Sequence, residues 1–191
     1  MLDTVIDFVP AHQPIVAASA KLGFTMNADA QAASLLRTLA ATKPGGRFLE
    51  LGTGTGLSTA WILAGMDEQA TLVSVDNDAD CLAIAREFLG NDSRLQLVCQ
   101  DGTDWVTTNT GPFDFIFADT WAGKYTDLDA VLAMLAPGGL YIIDDMLPQP
   151  NWPEGHPEKA DRLVAELTQR TDLLLTRLAW STGLIVAAKK G

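Results

Sequence analysis

Cysteine is scarce. The chain of 191 residues has two, Cys81 in a helical pattern and Cys99 in a strand pattern, with no paired metal-ligand spacing and no disulfide framework. Basic residues are few as well: 13 Lys and Arg stand against 24 Asp and Glu, and the resulting charge of −11 repels phosphate backbones. A nucleic-acid partner is therefore disfavoured, and the longest basic run is only Lys189-Lys190. The chain starts with acids, Asp3 and Asp7, where a secretory signal needs a basic region, and no apolar stretch approaches the ~20 residues that cross a bilayer. There is no internal repeat and no low-complexity segment. These absences lead us to expect a protein of the cytoplasm with reduced thiols and no membrane partner.

What is present suits a single folded domain with a real core, since 48% of the residues are hydrophobic and 19% charged. From residue 47 onward, apolar runs alternate with helical patterns, the mark of an α/β fold with a doubly wound parallel sheet and helices on both faces. Strands are expected at Phe48–Leu51, Thr71–Val75, Leu95–Cys99, Phe113–Ala118 and Leu140–Ile143, and an antiparallel pair at Leu173–Leu178 and Leu184–Ala188. Ala32, Leu35, Leu36 and Leu39 mark an amphipathic helix before Pro44-Gly45-Gly46, and further helices are expected over Leu57–Met66, around Cys81–Phe88 and around Lys159–Gln169. Leu128, Val131, Leu132 and Leu135 share one more helical face, which Pro137-Gly138-Gly139 ends. Pro10, Pro14 and Gly23 interrupt residues 1–27, which are expected to form an arm or lid on a domain spanning 28–191.

The strongest motif is Glu50-Leu51-Gly52-Thr53-Gly54-Thr55-Gly56 between a strand and a helix, where glycines let the backbone approach a ligand closely. Leu57 breaks the dinucleotide pattern G-x-G-x-x-G, and a Glu50 carboxylate suits an ammonium or sulfonium charge better than a pyrophosphate. Asp76 ends the second strand, where this fold places an acid that accepts hydrogen bonds from ribose hydroxyls. Asp101-Gly102 offers a carboxylate and a tight turn at the end of the third, where an adenine amino group could be read. A lone acid at a strand end is as often a turn or helix cap. Several in register point to a nucleoside without a pyrophosphate.

With FLELGTGTGLST, VSVDND, LVCQDG, FDFIFADTW and LAPGGLYIIDD in this order, the sequence resembles the class I S-adenosylmethionine-dependent methyltransferases over roughly residues 28–189. TMNADAQAASLL and the Tyr125 that follows FADTW make it most similar to the catechol and caffeoyl-CoA O-methyltransferases. The resemblance implies a Rossmann-like, mostly parallel sheet of seven strands with an antiparallel last strand, and S-adenosylmethionine at the strand ends. It adds Thr53, Ser58, Asn77 and Asp119 to Glu50, Gly52, Gly54, Gly56, Asp76, Asp101 and Gly102 as cofactor-binding residues. It also implies a divalent cation such as magnesium on Asp119, Asp144 and Asp145, with Asp145 where the family usually has Asn. Relatives are often homodimers, although nothing in the sequence marks an interface.

One departure concerns catalysis. The family's lysine falls three residues after the first metal-binding Asp, and that position is Ala122, two before Lys124. Two helical residues turn a side chain by about 200°, so Lys124 can act with Asp119 only if Ala122 and Gly123 stay in a loop. His156 is a second candidate base, in a Trp152-Pro153-Glu154-Gly155-His156-Pro157 setting that reads as an exposed loop. Trp121, Met146, Trp152 and Trp180 are candidate walls for a flat acceptor. The expected activity is methyl transfer to a small-molecule hydroxyl, against two alternatives: a tRNA-modifying methyltransferase of the same fold, or a cofactor-binding protein that has lost its chemistry.

Overall fold

The computed structural model describes residues 4, 5, 7–150 and 152–191; Met1, Leu2, Asp3 and Ile6 of the acidic start lie outside the described residues. Helices α1 (His12–Leu22) and α2 (Ala30–Ala40) precede the first strand. Then β1 (Arg47–Leu51), α3 (Leu57–Gly65), β2 (Thr71–Asp76), α4 (Ala79–Leu89), β3 (Leu95–Cys99) and α5 (Gly102–Thr108) alternate. They are followed by β4 (Phe113–Ala118), α6 (Leu128–Ala133), β5 (Leu135–Ile143), α7 (His156–Gln169), β6 (Leu173–Leu178) and β7 (Leu184–Lys189).

The strands form one seven-stranded sheet in the order β3-β2-β1-β4-β5-β7-β6. The first five pair in parallel, and β7 lies antiparallel between β5 and β6. Successive residues of each strand feed opposite layers. Phe48, Leu72, Phe115 and Phe117 pack with residues of α1 to α4, whereas Leu49, Leu51, Ile116 and Tyr141 pack with residues of α5 to α7. Fully burying a large apolar side chain contributes about 1.5–3 kcal/mol, and Trp61, Tyr141, Phe48 and Phe115 are all fully buried.

Two local features lie outside the sequence expectation, and a third differs from it. Residues 12–22 of the expected arm are a helix, with Ile15 buried, that packs on α3 and α4. A short helix, α5, follows β3, capped by Asp101. Leu135 belongs to no helix: α6 stops at Ala133, and Leu135 opens β5 by pairing with Phe113.

Strand order reverses direction at β1, whose neighbours are β2 and β4. In open sheets of this kind the crevice outside the C-terminal strand ends at the reversal is the place for a ligand. Backbone bonds bring those ends level, with Asp119 N–H donating to the Leu51 carbonyl (2.8 Å) and Asp144 N–H to that of Ala118 (3.4 Å).

Candidate functional site

Two cavities open at these strand ends, one of about 330 Å³ beside β1 and β2 and one of about 480 Å³ beside β4 and β5. Gly52, Thr53, Gly54, Ser58, Asp76 and Asn77 line the smaller one. The chain enters it through Gly52 at φ +99°, where a Cβ would stand 2.7 Å from the Asp119 carbonyl oxygen, so only glycine lets β1 turn this close to β4. Asp76 fixes the loop above: its Oδ2 accepts the Gly54 N–H at 2.7 Å and its Oδ1 the Asp78 N–H at 2.9 Å. A carboxylate oxygen takes two hydrogen bonds, so each Asp76 oxygen retains capacity for a ligand hydroxyl. A further space of about 80 Å³ adjoins, lined by Asp76, Asn77, Asp101 and Gly102 among others.

Two expected cofactor contacts lie behind the wall. Glu50 shares a strand face with Phe48 and points beneath α3, fully buried, accepting from Ser58 (2.6 Å), Thr59 (2.5 Å) and Ser74 (2.5 Å). Burial outweighs these three donors and pushes its carboxyl up to about 7. It reaches the cavity through Ser58 and, by way of Ser74, through Thr53. Gly56 packs toward Ala85 and Leu89, away from the cavity. Asp101 borders the small space, but its Oδ1 is engaged as a helix cap by the N–H groups of Thr103 and Asp104.

The larger cavity brings together Asp119, Lys124, Tyr125, Asp144, Asp145 and His156, walled by Trp121 and Trp152. The turn from Trp121 to Thr126 is not helical, and Ala122 bridges to Thr126 around Gly123 at φ +82°. Lys124 thereby turns inward, 5% exposed, with Nζ 2.7 Å from the Asp144 carbonyl oxygen and 4.0 Å from Asp119 Oδ1. Asp144 Oδ1 accepts from the Asp145 N–H (2.7 Å) and from the Thr182 hydroxyl. Burial, then the Asp144 charge, raises the Asp119 carboxyl well above the usual range. Burial likewise pushes Asp144 up to about 6, against the Thr182 hydrogen bond, and raises Asp145.

His156 is not on an exposed loop. It opens α7, is buried, stacks on Trp152 with ring centroids 4.3 Å apart, and its Nε2 meets Tyr125 Oη at 2.9 Å. Burial lowers its pKa. Met146 and Trp180, the other expected walls, pack instead against the apolar layers. No sequence pattern points to Thr182, and the strap Met26–Ala28, part of the TMNADAQAASLL motif but given no site role there, lines both cavities together with Asp119–Trp121. Asn27 ties that strap to the glycine loop by accepting from the Thr55 hydroxyl at 2.7 Å.

The three carboxylates suggested for a cation are neighbours but do not converge. Among the described residues no group of three His, Cys, Asp or Glu side chains could hold a metal ion. The Lys124 ammonium lies between the Asp144 backbone and Asp119.

The family described as a methyltransferase domain matches residues 49–146, from β1 through the end of β5. The chain belongs to this methyltransferase domain family. A catechol O-methyltransferase of Niastella koreensis is 30% identical over 107 residues, 52% of this chain and 48% of that protein. A putative O-methyltransferase of Mycobacterium avium is 27% identical over 118 residues, 58% of this chain and 52% of that protein. The chain thus spans about half the length of the curated relatives it matches.

Among solved structures, the O-methyltransferase TomG from Streptomyces achromogenes, in complex with SAM, superposes with a TM-score of 0.85 at 21% identity, covering 98% of this chain and 92% of that one. An O-methyltransferase from Bacillus cereus in complex with SAH gives 0.83 at 19% identity, covering 98% and 94%. These likenesses show that the methyltransferase domain has their Rossmann-like fold. Its matched segment carries Glu50, the glycine loop, Asp76, Asp119 and Asp144, whereas the strap, Thr182 and His156 lie outside it.

Proposed function

We propose that the protein transfers the methyl group of S-adenosylmethionine to a hydroxyl oxygen of a small-molecule acceptor. One observation carries the reading: a nucleoside-sized cavity with glycine walls and a ribose-ready acid shares Met26–Ala28 and Asp119–Trp121 with a second, aromatic-walled cavity. Two ligands seated there meet at Asp119.

S-adenosylmethionine would be held by Gly52–Gly54, Asp76 and Asn77, and when bound it supplies an electrophilic methyl group on a sulfonium sulfur. The carbon–sulfur bond breaks with its electron pair left on sulfur while the acceptor oxygen forms its bond to carbon. The hydroxyl proton goes to Asp119, the carboxylate that lines both cavities. Trp121 and Trp152 wall the cavity that would seat a flat acceptor. No step passes through a divalent cation, because the three carboxylates do not gather around one point.

The charge of −11 argues against a tRNA acceptor. A binding protein without chemistry has Ala122 as its support, and the inward turn of Lys124 counts against it. An arm or lid role for residues 1–27 and a place in the cytoplasm enter this proposal from the sequence, and a homodimer from the resemblance. Calorimetry with S-adenosylmethionine, followed by mass spectrometry of a phenol panel incubated with it, tests the reading. Binding together with a product heavier by one methylene supports it, and binding with no product from phenols or bulk tRNA favours the non-catalytic alternative.

A further inference from the structure

We infer that Lys124 supplies, from within the chain, the positive charge that faces the acceptor oxygen, so that this site works without a divalent cation; the inference rests on the methyl transfer proposed above. Its observation is the placement of one ammonium among three carboxylates. Lys124 is 5% exposed, donates to the Asp144 carbonyl at 2.7 Å, stands 4.0 Å from Asp119 Oδ1 and lines the larger cavity. An ammonium has three donors. Asp144 takes one and Asp119 attracts the group from a second side, which leaves a donor for a ligand oxygen in the cavity.

The surrounding residues are built for this cation rather than a metal. Magnesium needs near-octahedral oxygen ligands at about 2.0–2.1 Å and calcium six to eight oxygens at about 2.3–2.6 Å. Here Asp144 Oδ1 already accepts from the Asp145 N–H and the Thr182 hydroxyl, and no three acidic, histidine or cysteine side chains among the described residues could hold an ion.

The turn fixes the lysine in place. Gly123 takes φ +82°, and a Cβ there would press at 3.2 Å on both Leu51 and the Tyr141 hydroxyl, which donates to the Gly123 carbonyl. Position 124 therefore faces the carboxylates although it lies two residues beyond the position that the resemblance assigns to the lysine. In the reaction, the acceptor proton passes to Asp119 and the developing oxyanion takes the free Lys124 donor. Nothing else is consumed.

The test has two independent readings. Wild-type protein stripped with EDTA is titrated with manganese alone and followed by electron paramagnetic resonance. No tightly bound manganese is expected. Turnover of a phenol is then compared in EDTA and in millimolar magnesium, and equal rates are expected. Lys124→Met should lower kcat about 10²- to 10³-fold, the usual loss for one oxyanion donor, with Lys124→Arg recovering part of it and unchanged melting curves showing both variants folded. Manganese bound by the wild type and lost in Asp119→Asn, or turnover abolished by EDTA and restored by magnesium, overturns the inference. The manganese titration reads this inference even in a protein that methylates nothing, whereas absent cofactor binding or product defeats only the methyl transfer.

Discussion

Tyr125 Oη and His156 Nε2 lie 2.9 Å apart and tie the turn after β4 to the first residue of α7. The two segments are far apart in sequence, and between them they wall the larger cavity with Trp121 and Trp152. The other ring nitrogen of His156 is buried with no hydrogen-bond partner among the described residues, so Tyr125 is the one side chain that satisfies the imidazole.

Removing that hydroxyl should be felt in stability and in acceptor binding. Tyr125→Phe leaves a buried imidazole nitrogen unpaired, which costs about 1–3 kcal/mol. Urea denaturation should show this loss, and the acceptor KM should rise while cofactor affinity stays the same, since neither residue lines the smaller cavity. A variant as stable as the wild type would show that the contact is incidental.

The strand ends are legible in the sequence because each apolar run stops where chemistry begins, which places Asp76, Asp101, Asp119 and Asp144 at the edge of the sheet. Side-chain direction is harder to read. The glycine motif suggests a ligand contact for Glu50, but strand parity puts it on the Phe48 face, under α3, and that alternation is present in the sequence. Pro14 looks like a helix breaker, yet it sits in the first turn of α1, where a missing N–H goes unnoticed. Leu135 matches a helical spacing by coincidence, and pairing with Phe113 overrides it. The Tyr125–His156 contact depends on tertiary packing between remote segments, which no local pattern records.

Asp76 holds the glycine loop through Gly54 and faces the smaller cavity. Asp76→Ala should weaken S-adenosylmethionine binding by about 10- to 150-fold, the loss of roughly 1.5–3 kcal/mol for hydrogen bonds to a charged acceptor. Asp76→Asn should lose less, because the loop bond to Gly54 can survive. Calorimetry decides, and unchanged affinity in the alanine variant would place the nucleoside elsewhere.

Stability should fall with rising pH through the titration of Glu50. Its folded pKa of about 7 lies above its ordinary 4.5, so its favourable contribution is complete below about 4.5 and is lost as pH rises through about 7. Asp144, raised to about 6, acts in the same direction. A tenfold change in a proton-binding constant corresponds to about 1.4 kcal/mol, so Glu50→Gln should resemble the wild type near pH 5 and gain on it by about 1–3 kcal/mol near pH 8. Melting curves of both proteins across this range provide the check. If the variant loses ground as pH rises, the three hydroxyl donors outweigh burial.

Gly123 offers the sharpest test of how the active turn is built, because it has no side chain to make contacts and its backbone determines where Lys124 goes. At φ +82° an alanine carries a conformational cost of about 1–2 kcal/mol, and its methyl group would also crowd Leu51 and Tyr141. The cheapest relief is for the turn to relax toward right-handed backbone. That rotates the next residue out of the cavity and carries the ammonium away from the Asp144 carbonyl. Gly123→Ala should therefore melt at a lower temperature, bind S-adenosylmethionine as tightly as the wild type, and lose turnover to nearly the same extent as Lys124→Met. Combining the two substitutions should lower turnover little beyond either one, since the second removes a group already displaced. If the single variants instead multiply their losses, the glycine acts on turnover by a route separate from the lysine.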